Sequence, residues 1–224
     1  IVLAPPGMDR IFLHHPGAND TFSPQDLPEK ELQGANWFHF GYPPLMKQLY
    51  LNNGEGLAEI FRKAKAAGLP TSLDMAGVDP ESEAGHQDWT AILRRVLPYV
   101  DFFVPSFEEL CFMADPQKYH SLLARAAGQD ITSCLSLHRD IEPLADRVMK
   151  LGAKNLLIKC GAPGFYYRTG DASVLQDIAA GTGKSMDGWQ MQSGFERSYR
   201  PKKTLSGTGA GDTTIAAFLS SLLQ

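Results

Sequence analysis

A short glycine-rich segment near residue 210 combines residue types that suit the handling of phosphate. It reads Leu205-Ser206-Gly207-Thr208-Gly209-Ala210-Gly211-Asp212-Thr213-Thr214 and runs directly into an apolar stretch, 215–219. Small residues let the backbone approach a ligand closely, and the free N–H groups of a first helical turn form an anion site. An aspartate beside such a site can take a proton from a hydroxyl that attacks phosphorus. The segment therefore indicates phosphoryl transfer with Asp212 as the base.

The same segment also has a purely structural explanation. Asp212 would then stabilise a helix N-terminus, and the glycines would form a tight turn. Because glycine-rich turns are weakly specific, the residues alone leave both explanations open.

The segment 207–219 resembles the C-terminal signature of the ribokinase-like (PfkB) carbohydrate kinases, D-T-x-G-A-G-D. The resemblance implies that the amides of Gly209, Ala210, Gly211 and Asp212 form the anion hole for the transferring phosphoryl group. It also implies that Asp212 is the base and that Thr208 contributes to nucleotide binding. Ser206 stands where the family usually has an aspartate, a position whose neighbourhood is associated with monovalent-cation binding. Dependence on a monovalent cation is therefore left open.

A second block, Val104-Pro105-Ser106-Phe107-Glu108-Glu109-Leu110, resembles the family's N-x-x-E motif. The resemblance implies that Glu109 helps to hold Mg²⁺, which suits a carboxylate and a hard cation. Ser106 replaces the usual asparagine. Ser106-x-x-Glu109 is also a capping box, in which the two side chains bind free N–H groups at a helix start. Both roles are compatible.

A third block, residues 156–167, resembles the family's strand that ends in G-x-x-G before a hairpin. The resemblance implies that the adenine nucleotide lies here, against Lys159, Gly161 and Gly164. The alternative is a plain hairpin turn in which glycine supplies a positive φ.

On the substrate side, residues 10–19 resemble the lid strand and the following G-A-N segment of several family members, and residues 39–42 resemble their next strand end. The resemblance implies that Asn19 and Gly41 border a sugar and that Asp74, at the end of the segment 72–75, faces the acceptor pocket. His14 and His15 alternate on the presumed strand, so at most one of them faces a ligand.

These residues need a scaffold, and the chain alternates short apolar runs with amphipathic stretches. The segments 37–40, 70–75, 100–104 and 155–159 are typical of buried strands. Apolar residues at helical spacing predict helices around 57–64, 89–96 and 144–151. The alternation predicts an α/β fold with a doubly wound, mostly parallel sheet flanked by helices. Residues 10–20 would belong to a small β lid.

Two further regions carry less signal. The polar segment 171–203 is interpreted as a long loop or ragged hairpin, with Val174 and Trp189–Met191 as its only hints of strands. Residues 115–136 are interpreted as a helical insertion that breaks at Gly128. The segment 181–185 ends in Gly-Lys-Ser like a phosphate-binding P-loop, but it lacks a strong preceding strand and a good following helix and is rejected as one.

Composition excludes several classes of protein. The 224 residues are 43% hydrophobic and 21% charged, as expected for one globular domain. The net charge of -4 and the lack of a Lys/Arg run argue against a nucleic-acid partner. Three cysteines without metal-ligand spacing favour reduced thiols and the cytoplasm. No apolar run approaches the roughly 20 residues of a membrane span.

The resemblance implies a single ribokinase-like domain, 1–224, that is incomplete at both ends, because the family's N-terminal sugar motif and final helices have no counterpart. It implies a kinase that uses ATP and Mg²⁺ and a small-molecule sugar. A nucleoside kinase and a non-catalytic sugar or nucleotide sensor are the alternatives. An exposed lid edge would need covering, and a homodimer through the lid would cover it.

Overall fold

A computed structural model describes residues 1–3, 5, 11–199, 202, 207 and 209–224 of the chain. Its strands are β1 (Val2–Leu3), β2 (Ile11–Phe12), β3 (Phe38–Phe40), β4 (Thr71–Leu73), β5 (Phe102–Phe103), β6 (Asn155–Lys159), β7 (Gly164–Arg168) and β8 (Ser193–Arg197). Its helices are α1 (Glu29–Leu32), α2 (Lys47–Ala66), α3 (Trp89–Val96), α4 (Phe107–Ala114), α5 (Pro116–Ala126), α6 (Glu142–Lys150), α7 (Ala172–Thr182) and α8 (Ala210–Leu223).

The main sheet has six strands in the order β3-β4-β5-β6-β7-β8. β3 to β6 are parallel, whereas β7 and β8 continue the sheet antiparallel. Because consecutive parallel strands are neighbours, their carboxyl ends lie along one edge of the sheet. That is the edge at which α/β proteins bind ligands.

Helices cover both faces of this sheet. Alternate side chains of β5 and β6 point to opposite faces, so that Phe103 and Leu156 pack with α2, α3, α4 and α6. Phe102 and Leu157 pack on the other face with α7 and α8. The predicted mostly parallel sheet flanked by helices is confirmed, and the four predicted strands and three predicted helices of this repeat are all present.

The interpretation of residues 171–203 as a loop or ragged hairpin was wrong. Asp171 accepts bonds from the N–H groups of the first turn of α7, and Leu175 and Ile178 are buried one helical turn apart. Val174 therefore lies in a helix, and the strand that follows is β8 rather than 189–191. Small and polar residues on the exposed side of α7 had hidden its short apolar stripe.

The Gly-Lys-Ser sequence lies where no P-loop can. Gly183 ends α7 in a left-handed conformation, with φ 68°, and the Lys184 Nζ donates to the carbonyl of Gln224 at 2.6 Å. A P-loop needs the opposite end of a helix. The rejection of this motif is therefore confirmed.

The insertion at 115–136 is helical as predicted. It contains α5 and a 3-10 turn, Ile131–Cys134, and Ala127 and Gly128 separate the two with positive φ. Asp140, which is buried, joins the insertion to α6 by accepting from Arg125 at 2.5 Å and lying 3.1 Å from Lys118.

A small lid stands apart from the main sheet. β1 and β2 pair antiparallel, with Val2 opposite Phe12, so the predicted β lid is present although Arg10 lies outside the described residues. Six of its apolar side chains are exposed: Ile1, Val2, Leu3, Ile11, Phe12 and Leu13. Pairing of this lid with a second copy stays a prediction. Among the described residues, no helix is long and apolar enough to cross a membrane.

The hairpin between β6 and β7 should be intolerant of any side chain at Gly164. This residue has φ 138°, and a Cβ there would overlap the carbonyl oxygen of Glu196. We expect Gly164→Ala to lower the free energy of unfolding by about 2 kcal/mol or more, because both strain and overlap must be relieved. Urea denaturation measures the loss. Gly77→Ala, where nothing lies within 4 Å, is the control; equal stabilities of the two variants would contradict the argument.

Candidate active site

Helix α8 starts at the glycine-rich segment. Gly209 is its N-cap in a left-handed conformation, with φ 76°, and Asp212 lies in the first turn. The Ala210 N–H is already bonded to the Gly207 carbonyl at 3.2 Å, so the N–H groups of Gly211 and Asp212 are the better candidates for an anion. Thr208 and Ser206 lie outside the described residues, and their predicted relations to nucleotide and monovalent cation stay untested.

The Asp212 carboxylate is held by a tyrosine from the loop that follows β3, the first strand of the main sheet. The Tyr42 hydroxyl donates to Asp212 Oδ1 at 2.5 Å. This hydrogen bond, together with burial and the charges of Asp212, Asp74 and Glu109, raises the pKa of Tyr42. The three carboxylates therefore lie near one phenol.

Tyr42 was missed from the sequence, although a signal existed. It follows β3 by two residues, at the same edge where Asp74 follows β4. The rule that ligand-binding side chains follow the carboxyl ends of parallel strands selects it. Gly41, which was predicted to border the sugar, lies between β3 and Tyr42, and its role stays a prediction.

Asp74, which is buried, and Lys159, which is partly buried, form an ion pair across the strand ends. The Lys159 Nζ is 2.8 Å from both Asp74 oxygens, and the two side chains are only 15% and 3% exposed. Burial raises the pKa of Asp74 to about 6, although Lys159 opposes this increase. The carboxylate that was predicted to face the acceptor thus already has a partner.

Lys159 also lies against helix α8. A Cβ placed on Gly211 would be 3.6 Å from the Lys159 Nζ. A phosphoryl group at the first turn of α8 would therefore have this ammonium beside it. The predicted nucleotide contact of Lys159 stays a prediction, and its pairing with Asp74 is an addition to it.

Glu109 makes the capping box that its spacing predicts. The Ser106 N–H donates to Glu109 Oε2 at 2.8 Å, and the Glu109 N–H donates to Ser106 Oγ at 3.3 Å. The cap is confirmed, and the magnesium role stays a prediction. Glu109 also lines the cleft between the lid and the sheet that is described below, so it both caps α4 and adjoins that cleft.

Gly161 and Gly164 form the turn between β6 and β7. Their φ angles are 67° and 138°, and the Gly164 N–H donates to the Gly161 carbonyl at 3.2 Å. A cavity of about 370 Å³ adjoins this turn, lined by residues that include Cys160 and Arg197. The turn explanation is confirmed, whereas the nucleotide contacts of both glycines stay predictions.

A cleft of about 970 Å³ opens between the lid and the carboxyl edge of the sheet. Tyr42 and Glu109 line it on the sheet side, and Phe12 and His14 line it on the lid side. His15 is not among its lining residues, so at most one of the two histidines faces the cleft, but both lie beyond β2 and not on the strand that was presumed for them. Asp20 rather than Asn19 is part of the lining, and the sugar contact of Asn19 stays a prediction.

The cleft has a distinctive wall. Its lining contains three aromatic rings, those of Phe12, Tyr42 and Tyr50, and several carboxylates: Asp20, Asp79, Glu83 and Glu109. Rings offer flat apolar contact, and carboxylates accept bonds from hydroxyl groups. Such a surface suits a small polyhydroxylated molecule.

Tyr42 connects the glycine-capped start of α8 to this cleft, because it contacts Asp212 in the first turn of that helix and also lines the cleft. The family model described as pfkB family carbohydrate kinase matches residues 1–224. The chain therefore belongs to the PfkB family. Comparison with curated protein sequences gives no match.

Solved structures share the fold at low sequence identity. A putative ribokinase II from E. coli in complex with ATP and Mg²⁺ is 20% identical, with a TM-score of 0.59 over 95% of this chain and 54% of that one. Fructokinase with bound ATP from Xylella fastidiosa is 16% identical, with a TM-score of 0.58 over 92% and 50%. Aminoimidazole riboside kinase from Salmonella enterica is 21% identical, with a TM-score of 0.57 over 95% and 55%. The chain thus spans about half the length of these proteins.

The raised pKa of Asp74 gives a stability test. Because the pKa of Asp74 rises from its ordinary value of 3.8 to about 6 on folding, Asp74 binds a proton more tightly in the folded protein. Its contribution to stability is present below about pH 4 and is lost as the pH rises through about 6. We expect the native protein to be more stable than Asp74→Asn by a margin that depends on pH. This difference in unfolding free energy should fall by roughly 2–3 kcal/mol between pH 4 and 7. Urea titrations at several pH values measure it. A difference that rises with pH would mean a lowered pKa instead.

Proposed function

We propose that the chain is the catalytic part of a kinase that transfers the γ-phosphoryl group of ATP to a hydroxyl of a sugar or sugar derivative. The observation that carries the proposal is the Tyr42–Asp212 contact, because a base at the start of a glycine-capped helix already accepts a bond from a hydroxyl. The position at the carboxyl edge of parallel strands and the membership of the family support it.

The reaction then runs as a direct displacement. The acceptor hydroxyl gives its proton to Asp212, its oxygen forms a bond to the γ-phosphorus, and the bond from that phosphorus to the oxygen of ADP breaks. The Gly211 and Asp212 N–H groups would stabilise the charge on the transferring group. The Lys159 ammonium, beside Gly211, would add to this stabilisation, while it also contacts both Asp74 oxygens.

Mg²⁺ suits the donor set of the site. The described residues contain no group of three or more potential metal ligands. A single carboxylate, Glu109, fits magnesium, which is usually held by one or two carboxylates with phosphate and water completing its shell. The ion would neutralise charge on the phosphate oxygens. Glu109 would hold it while its other contact, the Ser106 N–H, fixes the start of α4.

ATP is the proposed phosphoryl donor. Two of the structures with this fold were solved with ATP, from E. coli and Xylella fastidiosa. Gly161 and Gly164 would receive the nucleotide at the hairpin, with Thr208 and Lys159 on the phosphate side. The left-handed turn keeps Cβ atoms out of that approach.

A nucleoside is the second candidate acceptor. The aromatic residues Phe12, Tyr42 and Tyr50 line the cleft, and such rings would stack on a nucleobase as readily as on a sugar face. The catalytic roles would not change. Only the part of the acceptor that is remote from its reacting hydroxyl differs between the two proposals.

The base assignment predicts that Asp212→Asn greatly slows turnover. Loss of a general base reduces kcat by about 10²- to 10⁴-fold, and the amide keeps the volume of the side chain. ADP release from Mg-ATP across a panel of sugars and nucleosides, with full-length protein, measures the loss and identifies the acceptor. Asp177→Asn, on the exposed side of α7, is the matched control.

The outcomes of this panel separate the alternatives. Acceptor-dependent turnover in the native protein and in Asp177→Asn, but not in Asp212→Asn, supports the kinase. Binding of ligands without turnover in any protein would favour a non-catalytic sensor. Full activity of Asp212→Asn would show that another group is the base.

The two roles of Glu109 can be separated by substitution. Glutamine at the third helical position also completes a capping box, so Glu109→Gln should keep the stability of the protein. We expect this variant to need about 10-fold more Mg²⁺ for half-maximal activity. Loss of a group that binds the metal, directly or through water, typically weakens metal binding about 10-fold or more. Glu109→Ala should lower both stability and magnesium affinity. An unchanged magnesium requirement in Glu109→Gln would assign Glu109 to the cap alone.

A further inference from the structure

Three carboxylates near Tyr42 differ in the kind of partner they have. Asp74, which is buried, is held by the partly buried ammonium of Lys159, and Glu109 is held by a backbone N–H of its own helix start. Asp212 is held by the phenol of Tyr42, which is uncharged and 40% exposed. Of the three partners, the phenol is therefore the one that an incoming hydroxyl group can replace without leaving a buried charge unpaired.

The loop around Tyr42 is built in a way that favours this contact. Tyr42 has φ 63° and ψ 39°, a left-handed conformation that costs a non-glycine residue about 1 kcal/mol or more. Pro43 and Pro44 follow it, both buried, and limit the conformations of the loop. The Leu45 N–H closes the turn on the Tyr42 carbonyl at 3.0 Å. A tyrosine is thus held in an unfavourable backbone conformation in the wall of the cleft.

The phenol lies where an acceptor has to donate. A hydroxyl that attacks phosphorus must give its proton to the Asp212 carboxylate, and the Tyr42 hydroxyl already donates to one of its two oxygens at 2.5 Å. Tyr42 also lines the cleft that would receive the acceptor. The phenol and the reacting hydroxyl therefore compete for the same carboxylate.

We propose that Tyr42 is a positioning residue that keeps water from Asp212 until the acceptor hydroxyl takes the place of the phenol. The inference rests on the proposed function, since it requires that Asp212 is the base. It assigns Tyr42 a role in substrate selection. The hydrogen bond from the phenol to Asp212 excludes water, whereas a sugar or nucleoside hydroxyl displaces the phenol.

The phenol transfers no proton in this scheme. The high pKa of Tyr42 keeps it protonated at neutral pH, so it only exchanges its hydrogen-bond partner. In productive turnover, the acceptor proton goes to Asp212 and the phosphoryl group to the acceptor oxygen. In the side reaction, water takes the acceptor's part, and the products are ADP and inorganic phosphate.

The test is phosphate release from Mg-ATP without any acceptor, measured with full-length protein. We expect Tyr42→Phe to raise this hydrolysis about 3- to 10-fold over the native protein, the change that corresponds to loss of one hydrogen bond. With the acceptor from the panel, KM should fall while kcat changes less than about 2-fold, because no phenol has to be displaced. A merely structural role would lower kcat without raising hydrolysis.

Tyr119→Phe is the matched control. The Tyr119 hydroxyl also contacts a carboxylate, Glu108 at 3.4 Å, but from α5 and outside the lining of the cleft. Its removal should leave both hydrolysis and acceptor kinetics at native values. A hydrolysis increase in both tyrosine variants would point to general loosening and overturn the assignment.

A measurement independent of activity checks the contact itself. In protein labelled at tyrosine Cζ with ¹³C, the Tyr42 resonance is identified by its loss in Tyr42→Phe, and it should shift in Asp212→Asn. Equal acceptor-free hydrolysis in native protein and Tyr42→Phe, including rates too low to detect in both, overturns the inference. If acceptor phosphorylation still depends on Asp212, the proposed function survives that result; if no acceptor is phosphorylated, the proposed function fails first.

Discussion

The Asp74–Lys159 ion pair is the interaction on which the arrangement of the site depends. It joins the carboxyl ends of β4 and β6, two strands that are separated by β5, and its ammonium lies beside Gly211 of α8. Burying two charges is costly unless both are paired and hydrogen-bonded. Asp74 meets this requirement through Lys159 and through the Met75 N–H at 2.8 Å. The pair therefore holds the Lys159 ammonium at the sheet edge, beside the first turn of α8.

Around this ion pair, carboxylates outnumber the ammonium of Lys159. Besides its hydrogen bond to Asp212 and burial, the negative charges of Asp212, Asp74 and Glu109 raise the pKa of Tyr42. The positive charge of Lys159 opposes the increase in the pKa of Asp74, and burial together with this charge lowers the pKa of His39. A site with this excess of carboxylates repels a polyphosphate unless cations accompany it. Magnesium bound with the nucleotide would satisfy that condition, which is why the proposed Glu109 role and the proposed donor belong together. The solved structures with this fold are about twice as long as this chain.

Much of the scaffold was predictable because its signals are local. Apolar runs such as 155–159 became buried strands, and the Ser106 and Glu109 spacing became a capping box. Helix α7 was not predicted, because only Leu175 and Ile178 of its residues are buried and a polar surface dominates its composition. Short apolar stripes of this kind are recognised only once the sheet face they cover is known.

In the candidate site, too, the residues with local signals were predicted, whereas the long-range pairs were not. Asp212 and Asp74 were selected from motifs and strand ends, which are properties of short segments. The partnership of Asp74 with Lys159 spans 85 residues, and that of Tyr42 with Asp212 spans 170 residues. Such pairs depend on strand order and on the path of the loop after β3, so no local pattern contains them. Both pairs nevertheless lie where the strand-end rule directs attention.

The central claim is that the first turn of α8 receives the transferring phosphoryl group beside Asp212. A crystal structure of the full-length protein with ADP, Mg²⁺ and aluminium fluoride, a mimic of that group, measures this position directly. The account predicts the fluoride complex within hydrogen-bond distance of the Gly211 and Asp212 N–H groups, with the Asp212 carboxylate on its far side from ADP. A fluoride complex bound away from residues 209–212 would contradict it.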